Sequence, residues 1–313
     1  MRKIEKLSII VPVYYNEKNL ITLYEDLKNK IIDKIDYSYE ILFVDDGSGD
    51  GSYTVIQELS KRDKNVKGIS LSRNFGSHAA ILCGLMECKG ECAVVKTADL
   101  QEPTEMIHEM VKEWEEENNV ILAVRDGREE KIGQIFFANF YYWLVRKFAL
   151  KNMPKGGFDV YLLDRKVIEV LKNLDEKNSA LTGQVLWSGF KTKYIYYKRQ
   201  ARKIGKSRWT LSKKIRLVMD TLFSFSSVPI FLVTSIGILS FLGALIWALI
   251  VLGFKIFGRI HVSGWTTLFI FNLFSFGIIM LTLGILGAYL WRTFDASRNR
   301  PTYVIEETTD DIS

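Results

Sequence analysis

Cysteine and proline are scarce in this chain, with three and five among 313 residues. Cys83, Cys88 and Cys92 lack the paired spacing of a zinc site and suit a reducing compartment in which buried thiols stay free. The N-terminus, Met1 to Ser8, is charged and leads straight into a strand-like run, without the apolar core or cleavage site of a secretory leader. Two phosphate-binding signatures are missing as well. Where a dinucleotide fold needs Gly-x-Gly-x-x-Gly after its first strand, the chain reads Pro12-Val13-Tyr14-Tyr15-Asn16-Glu17, which disfavours a nicotinamide cofactor. A Walker lysine loop is absent too, so a bound phosphate has to be held another way, most simply through a metal.

Charge is missing from two long stretches, Thr221 to Phe254 and Val262 to Trp291. A bilayer core takes about 20 apolar helical residues to cross, so each can span it, whereas the preceding part of the chain reads as water-soluble. Nine Lys or Arg residues and no acid lie between Lys198 and Arg216, and Arg292, Arg298 and Arg300 follow the second stretch. Basic runs beside spans mark the cytoplasmic side, and only Lys255 and Arg259 lie in the connecting loop, so both termini are expected in the cytoplasm of a multi-pass membrane protein. No nucleic-acid motif accompanies the basic run, which argues against a nucleic-acid partner and for anionic lipid. From Ser207 to Phe225, Leu211, Ile215, Val218, Leu222 and Phe225 share one helical face, as in a helix lying on the membrane. The aromatic segment Lys131 to Lys151 fits either a core helix or one resting at the lipid interface. The acidic tail, Glu306 to Asp311, has the composition of a solvated, disordered end.

The first half alternates strand-like and helix-like segments: Leu7 to Val13, Glu17 to Ile32, Glu40 to Val44, Gly51 to Arg62, Val66 to Leu71, His78 to Glu87 and Cys92 to Lys96. This predicts an α/β domain with a mostly parallel sheet, whose ligands bind at the carboxyl ends of the strands. Polar clusters fall at those ends: Tyr14 to Glu17, Asp45 to Ser48, Ser72 to Gly76 and Thr97 to Glu102. Asp99 and Gln101, two apart, point the same way if the chain stays extended, and offer oxygens suited to Mg²⁺ or Mn²⁺ shared with a diphosphate. Asp45 and Asp46 suit either a turn or acceptance of hydrogen bonds from a ribose or base. Arg202 and Lys206, around Gly205, have the chemistry of a phosphate loop, although the same charges could serve only the lipid surface. Arg125, ending the strand Val120 to Val124, is a further phosphate candidate.

In combination and order, Ile9 to Glu17, Val44 to Ser48, Ser72 to Gly76 and Ala98-Asp99-Leu100-Gln101-Glu102-Pro103 resemble the family 2 glycosyltransferases of GT-A fold. More narrowly they resemble the polyprenyl-phosphate glycosyltransferases related to dolichol-phosphate mannose synthase, in the branch with two C-terminal spans. The resemblance implies nucleotide binding by Pro12, Tyr14, Glu17, Asp45 and Asp46. It implies metal ligation by Asp99 and Gln101, and phosphate or acceptor binding by Arg125, Arg202, Lys206 and Ser207. Relatives commonly read Asp-Ala-Asp-Leu-Gln at the metal motif, where this chain has Thr97 first. A second acidic segment of relatives aligns with Pro154 to Arg165, where Asp159 is kept and Gly156 and Tyr161 depart. Asp159 is therefore expected to position the sugar or acceptor, with a catalytic base as the other option, and Asp99 to act at the reaction centre. Asp164 and Arg165 are expected to cap the next helix.

The implied layout is a cytoplasmic domain over residues 1–197, a basic loop and juxtamembrane helix over 198–225, a transmembrane hairpin over 226–292 and a tail over 293–313. The implied reaction moves a sugar, with inversion, from a nucleotide diphosphate, UDP-glucose or UDP-N-acetylglucosamine, to undecaprenyl phosphate in cell-envelope glycan modification. A homo-oligomer, tetrameric by resemblance, is possible through the small residues of the spans. A processive polysaccharide synthase is disfavoured by the lack of a Gln-x-x-Arg-Trp motif and by two spans making a poor channel. A scaffold that keeps the fold without turnover is the remaining alternative, motivated by Thr97, Gly156 and Tyr161.

Overall fold

The computed structural model of the chain describes residues 2–126, 142–174, 176, 179–199, 211–256 and 264–309, without the side chains of 211–217, 251, 252, 255, 265–267 and 270. Arg202, Lys206, Ser207 and residues 131–141 of the expected aromatic helix lie outside the described residues.

The chain begins β1 (Lys6–Val13), α1 (Glu17–Lys30), β2 (Ser38–Asp45), α2 (Ser52–Arg62), β3 (Val66–Leu71), α3 (Ser77–Glu87), β4 (Cys92–Val95), α4 (Met106–Glu115) and β5 (Val120–Arg125). It continues through β6 (Phe158–Asp164), α5 (Arg165–Lys172), α6 (Leu181–Trp187) and β7 (Thr192–Tyr197). Two layers of helices cover one sheet, which is why Ile9, Ile10 and Val11 of β1 form a continuous apolar run and are all fully buried. On one face Leu20, Leu23 and Leu27 of α1 pack with Ile56, Met110 and Trp114; on the other Ala80 and Leu85 of α3 pack with Ile168 and Val185. Full burial of each such Leu stabilises the fold by about 1.5–3 kcal/mol. Asp164 caps α5 by accepting from Lys166 N (2.9 Å), as the sequence predicts.

With a last strand β8 (Ile305–Thr308), the sheet order is β7-β5-β6-β4-β1-β2-β3-β8. The strands β1, β2, β3 and β4 are mutually parallel, as are β5 and β7, while β6 runs antiparallel to both β4 and β5. The start of β6 therefore lies on the same sheet edge as the ends of β4, β5 and β7. Sequence reading treated 154–165 as a motif and did not recognise it as leading into a strand.

The tail corrects a second expectation. Instead of a disordered end, Ile305–Thr308 form β8, antiparallel to β3 at the edge of the sheet. Thr309 N donates to Gly68 O and Gly68 N to Thr309 Oγ1, both at 2.9 Å, and Gln57 Nε2 to Glu307 Oε1 at 3.0 Å. An open edge on β3 presents unpaired N–H and C=O groups, and pairing them outweighs the solvation that the acidic composition favours.

After β7 come α7 (Leu211–Phe225), α8 (Val228–Ile256) and α9 (Trp265–Ser297). Within α8 and α9, Val228–Ile250 and Phe271–Ser297 are long and apolar enough to cross a membrane. Their large apolar side chains face outward, Phe231 at 73% and Leu239 at 69% exposure, the reverse of the β-sheet domain. The end of α7 is wedged between the two parts. Phe225 lies against Gly183 of α6, where a Cβ would meet its ring at 2.4 Å, while Asp220 pairs with Arg292 of α9 at 2.7 Å.

Candidate active site

The loops after β1, β2 and β3 are knitted together. Tyr15, held at φ 55°, donates its N–H to Ser48 Oγ (2.9 Å), and Gly51 N donates to Glu17 Oε2 (3.2 Å). Tyr14 stands edge-on to Tyr15, ring centroids 4.8 Å apart, and Pro12 lies beside Val44 in the parallel register. Asp45, buried at the end of β2, accepts from the N–H and the hydroxyl of Ser48; burial raises its carboxyl above the usual range, and the Ser48 bonds oppose that shift. Asp46 takes up the next loop instead of facing outward. It accepts from Asn74 Nδ2 (2.9 Å), Phe75 N (2.7 Å) and Gly76 N (2.9 Å), so its carboxylate holds the loop after β3. Gly47, at φ +64°, permits this approach, since a Cβ there would sit 2.4 Å from the Arg73 carbonyl carbon.

Beyond β4 the chain does not stay extended. Leu100 adopts φ 56°, so the alternation expected to align Asp99 with Gln101 is broken. A third residue brings them together: Arg199 Nη2 donates to Gln101 Oε1 at 2.6 Å and lies 3.9 Å from Asp99 Oδ2. The Thr97 hydroxyl is 2.9 Å from Asp99 Oδ1 and also contacts Glu102 Oε2. Behind them Lys96 is fully buried, with Nζ donating to the Glu102 carbonyl at 3.1 Å; burial pushes its ammonium below the usual range, while Glu102 opposes the shift.

Asp99 and Gln101 offer the oxygens that a hard divalent cation takes, so the site fits Mg²⁺ or Mn²⁺ in kind. In number it falls short. Among the described residues no three His, Cys, Asp or Glu side chains converge to hold an ion, so water or substrate oxygens would complete the shell.

Arg125, at the end of β5, forms an ion pair with Asp159, the second residue of the antiparallel β6. Gly156 has no room for a side chain, because a Cβ there would lie 2.4 Å from the Arg125 carbonyl oxygen. Tyr161 points into the core, 1% exposed, edge-on to Phe158 at 5.6 Å. Tyr161 thus serves the packing of the core. Sequence reasoning counts Arg199 only within the basic run from Lys198 to Arg216, with no role at this site, and misses Lys96. The available signals were an arginine near the start of that basic run, two residues past Tyr197, and a lysine ending the apolar run from Cys92.

A model of glycosyl transferase family 2 matches residues 8–221. An uncharacterized glycosyltransferase, YkcC, of Bacillus subtilis (strain 168) is 38% identical over 305 residues, covering 96% of this chain and 93% of that protein. A prophage bactoprenol glucosyl transferase homolog of Escherichia coli (strain K12) is 32% identical over 307 residues, covering 96% and 98%. Among solved structures, glucosyl-3-phosphoglycerate synthase of Mycobacterium tuberculosis, crystallised with Mn²⁺, UDP and glucosyl-3-phosphoglycerate, superimposes with TM-score 0.50 at 13% identity, over 70% of this chain and 79% of that one. That last likeness concerns the fold alone. The chain belongs to glycosyl transferase family 2, a glycosyltransferase of GT-A fold that carries two C-terminal helices able to cross a membrane.

Proposed function

We propose that the chain transfers glucose from UDP-glucose to a polyprenyl phosphate, undecaprenyl phosphate in a bacterium, at the cytoplasmic face of the plasma membrane. One observation carries this reading: the family's strand-end site leads, two residues past β7, into the basic segment and the helix α7 that joins the membrane hairpin. The names of relatives aligned over 96% or more of this chain, bactoprenol glucosyl transferases of Escherichia coli and of Shigella phage SfV, support the acceptor and the sugar.

In this reading residues 1–197 are the cytoplasmic catalytic domain, 198–225 the basic juxtamembrane element, 226–292 the hairpin and 293–313 a cytoplasmic tail. The pairing of β8 with β3 supports placing the tail and the domain on one side, as an even number of spans requires. Pro12, Tyr14, Glu17 and Asp45 surround the nucleotide, with Asp46 acting through the loop after β3. Asp99 and Gln101 would hold Mg²⁺ or Mn²⁺, which when bound neutralises charge on the donor diphosphate. An acceptor phosphate oxygen attacks the anomeric carbon as the bond to the diphosphate oxygen breaks, inverting that centre and releasing UDP. The acceptor is already an anion, so the chain's task is orientation and charge stabilisation more than proton removal. Arg125, with Asp159 aiming it, and Arg202, Lys206 and Ser207 are the phosphate contacts.

Purified full-length protein, incubated with labelled UDP-glucose, UDP-N-acetylglucosamine and Mn²⁺ together with undecaprenyl phosphate, is expected to yield a lipid-soluble glucosyl product. Labelled N-acetylglucosamine lipid instead would overturn the sugar, and no lipid product across a panel of donors would overturn the reaction.

A further inference from the structure

The metal motif of this chain is already occupied by charges of its own. Among the described residues two carboxylates, Asp99 and Glu102, lie beside two cations, Arg199 and the fully buried Lys96, whose Nζ bonds the Glu102 backbone carbonyl. Where a further carboxylate would tip the balance negative, the chain has the neutral Thr97, turned to both acids. A motif balanced in this way has little net attraction for a free divalent ion until more negative charge arrives. Arg199 Nη2 also covers Gln101 Oε1, one of the two oxygens that an ion would use.

The guanidinium is held at one end only. Its Nη2 makes the contacts to Gln101 and Asp99, whereas its buried Nε has no hydrogen-bond partner among the described residues. A buried N–H left without a partner is costly, and a phosphate bound by the guanidinium fork satisfies it. Arg199 stands two residues beyond β7, which pairs in parallel with β5, so it approaches the motif from the strand ends where Arg125 also sits.

We propose that Arg199 is a donor-gated cover of the metal motif: it shields Gln101 and Asp99 in the nucleotide-free protein and moves onto the donor's diphosphate, uncovering those oxygens for the cation. Nucleotide and metal then bind as a unit, each weak without the other. This inference rests on the donor and metal assignments proposed above.

The test measures two affinities in full-length protein in nanodiscs: UDP by calorimetry in the presence of Mn²⁺, and Mn²⁺ alone by electron paramagnetic resonance. Arg199→Gln is expected to weaken UDP binding about tenfold or more and, in the opposite direction, to strengthen binding of Mn²⁺ alone by about threefold or more. Arg199→Lys, which keeps the charge without the fork, is expected to recover part of the UDP affinity. A merely structural arginine would move both affinities down or neither, and either pattern overturns the inference. If the wild-type protein forms the glucosyl lipid while Arg199→Gln matches it in both affinities, the inference fails and the proposed reaction stands. If wild-type protein binds no UDP, the donor reading and this inference fall together.

Discussion

Arg125 and Asp159 form an ion pair across two antiparallel strands, so the Asp159 carboxylate is engaged by a guanidinium where β5 ends and β6 begins. A carboxylate held in this way is placed to orient its partner.

We predict that Asp159→Asn lowers kcat by less than about tenfold, because orientation of Arg125 is weakened and no base is lost, whereas a general base would contribute about 10²–10⁴-fold. Asp99→Asn, measured beside it, should cost about a hundredfold or more through lost charge stabilisation. A loss at Asp159 as large as that at Asp99 would restore the base assignment.

Asp46 holds the loop after β3 by bonds to Asn74, Phe75 and Gly76. Asp46→Ala leaves those donors unsatisfied, and we predict a loss of about 2–3 kcal/mol in stability together with weaker UDP binding. Thermal unfolding and calorimetry on the same preparation check both. Weaker UDP binding at unchanged stability would instead point to direct nucleotide contact.

Glu40 links three elements, accepting from Ser8 Oγ (2.6 Å) and Lys89 N (2.5 Å), with Lys6 Nζ at 3.2 Å. Burial alone would raise its carboxyl, yet Ser8, Lys89 and Lys6 outweigh burial and hold it below its ordinary 4.5. A depressed carboxylate contributes stability that is fully present above the unfolded value and is lost as pH falls through the folded one. Glu40→Gln should therefore be less stable than wild type at neutral pH, with the gap closing below about pH 4.5. Denaturant melts across pH would show it; a gap that widens on acidification would contradict the assignment.

Deleting residues 302–313 removes β8 and re-exposes the edge of β3. We predict a fall of about 5 °C in Tm and greater aggregation, because the edge of β3 is left unpaired and Ser72 N loses its bond to the Val304 carbonyl. An unaltered melting profile would show that the pairing adds nothing to stability.

Much of the layout was legible because it depends on local pattern. The apolar run Ile9 to Val11 can only be a strand covered on both faces, and the spacing of Leu20, Leu23 and Leu27 marks one face of a helix. The polar clusters at the ends of β1 to β4 were readable for the same reason, since a parallel sheet returns every strand to one edge. What pattern reading could not supply is pairing across distance. Arg199 and Gln101 are 98 residues apart in the chain, and their contact depends on β7 lying next to β5. Nor could it anticipate Leu100 turning to positive φ, which redirects Asp99 and Gln101.

The sequence by itself determined the family, the α/β alternation, the motifs at the strand ends and the two charge-free stretches. Hydrophobic period, turn residues and motif order are properties of neighbouring residues along the chain. Only the tertiary structure decided that β6 enters antiparallel and brings Asp159 to Arg125, that Asp46 serves the loop after β3, and that the acidic tail closes the sheet. It also decided that Arg199 meets Gln101 and Asp99. Each of these is set by which strand edges and buried charges find partners, and that choice is made by the free energy of the whole packed domain and not by any local segment.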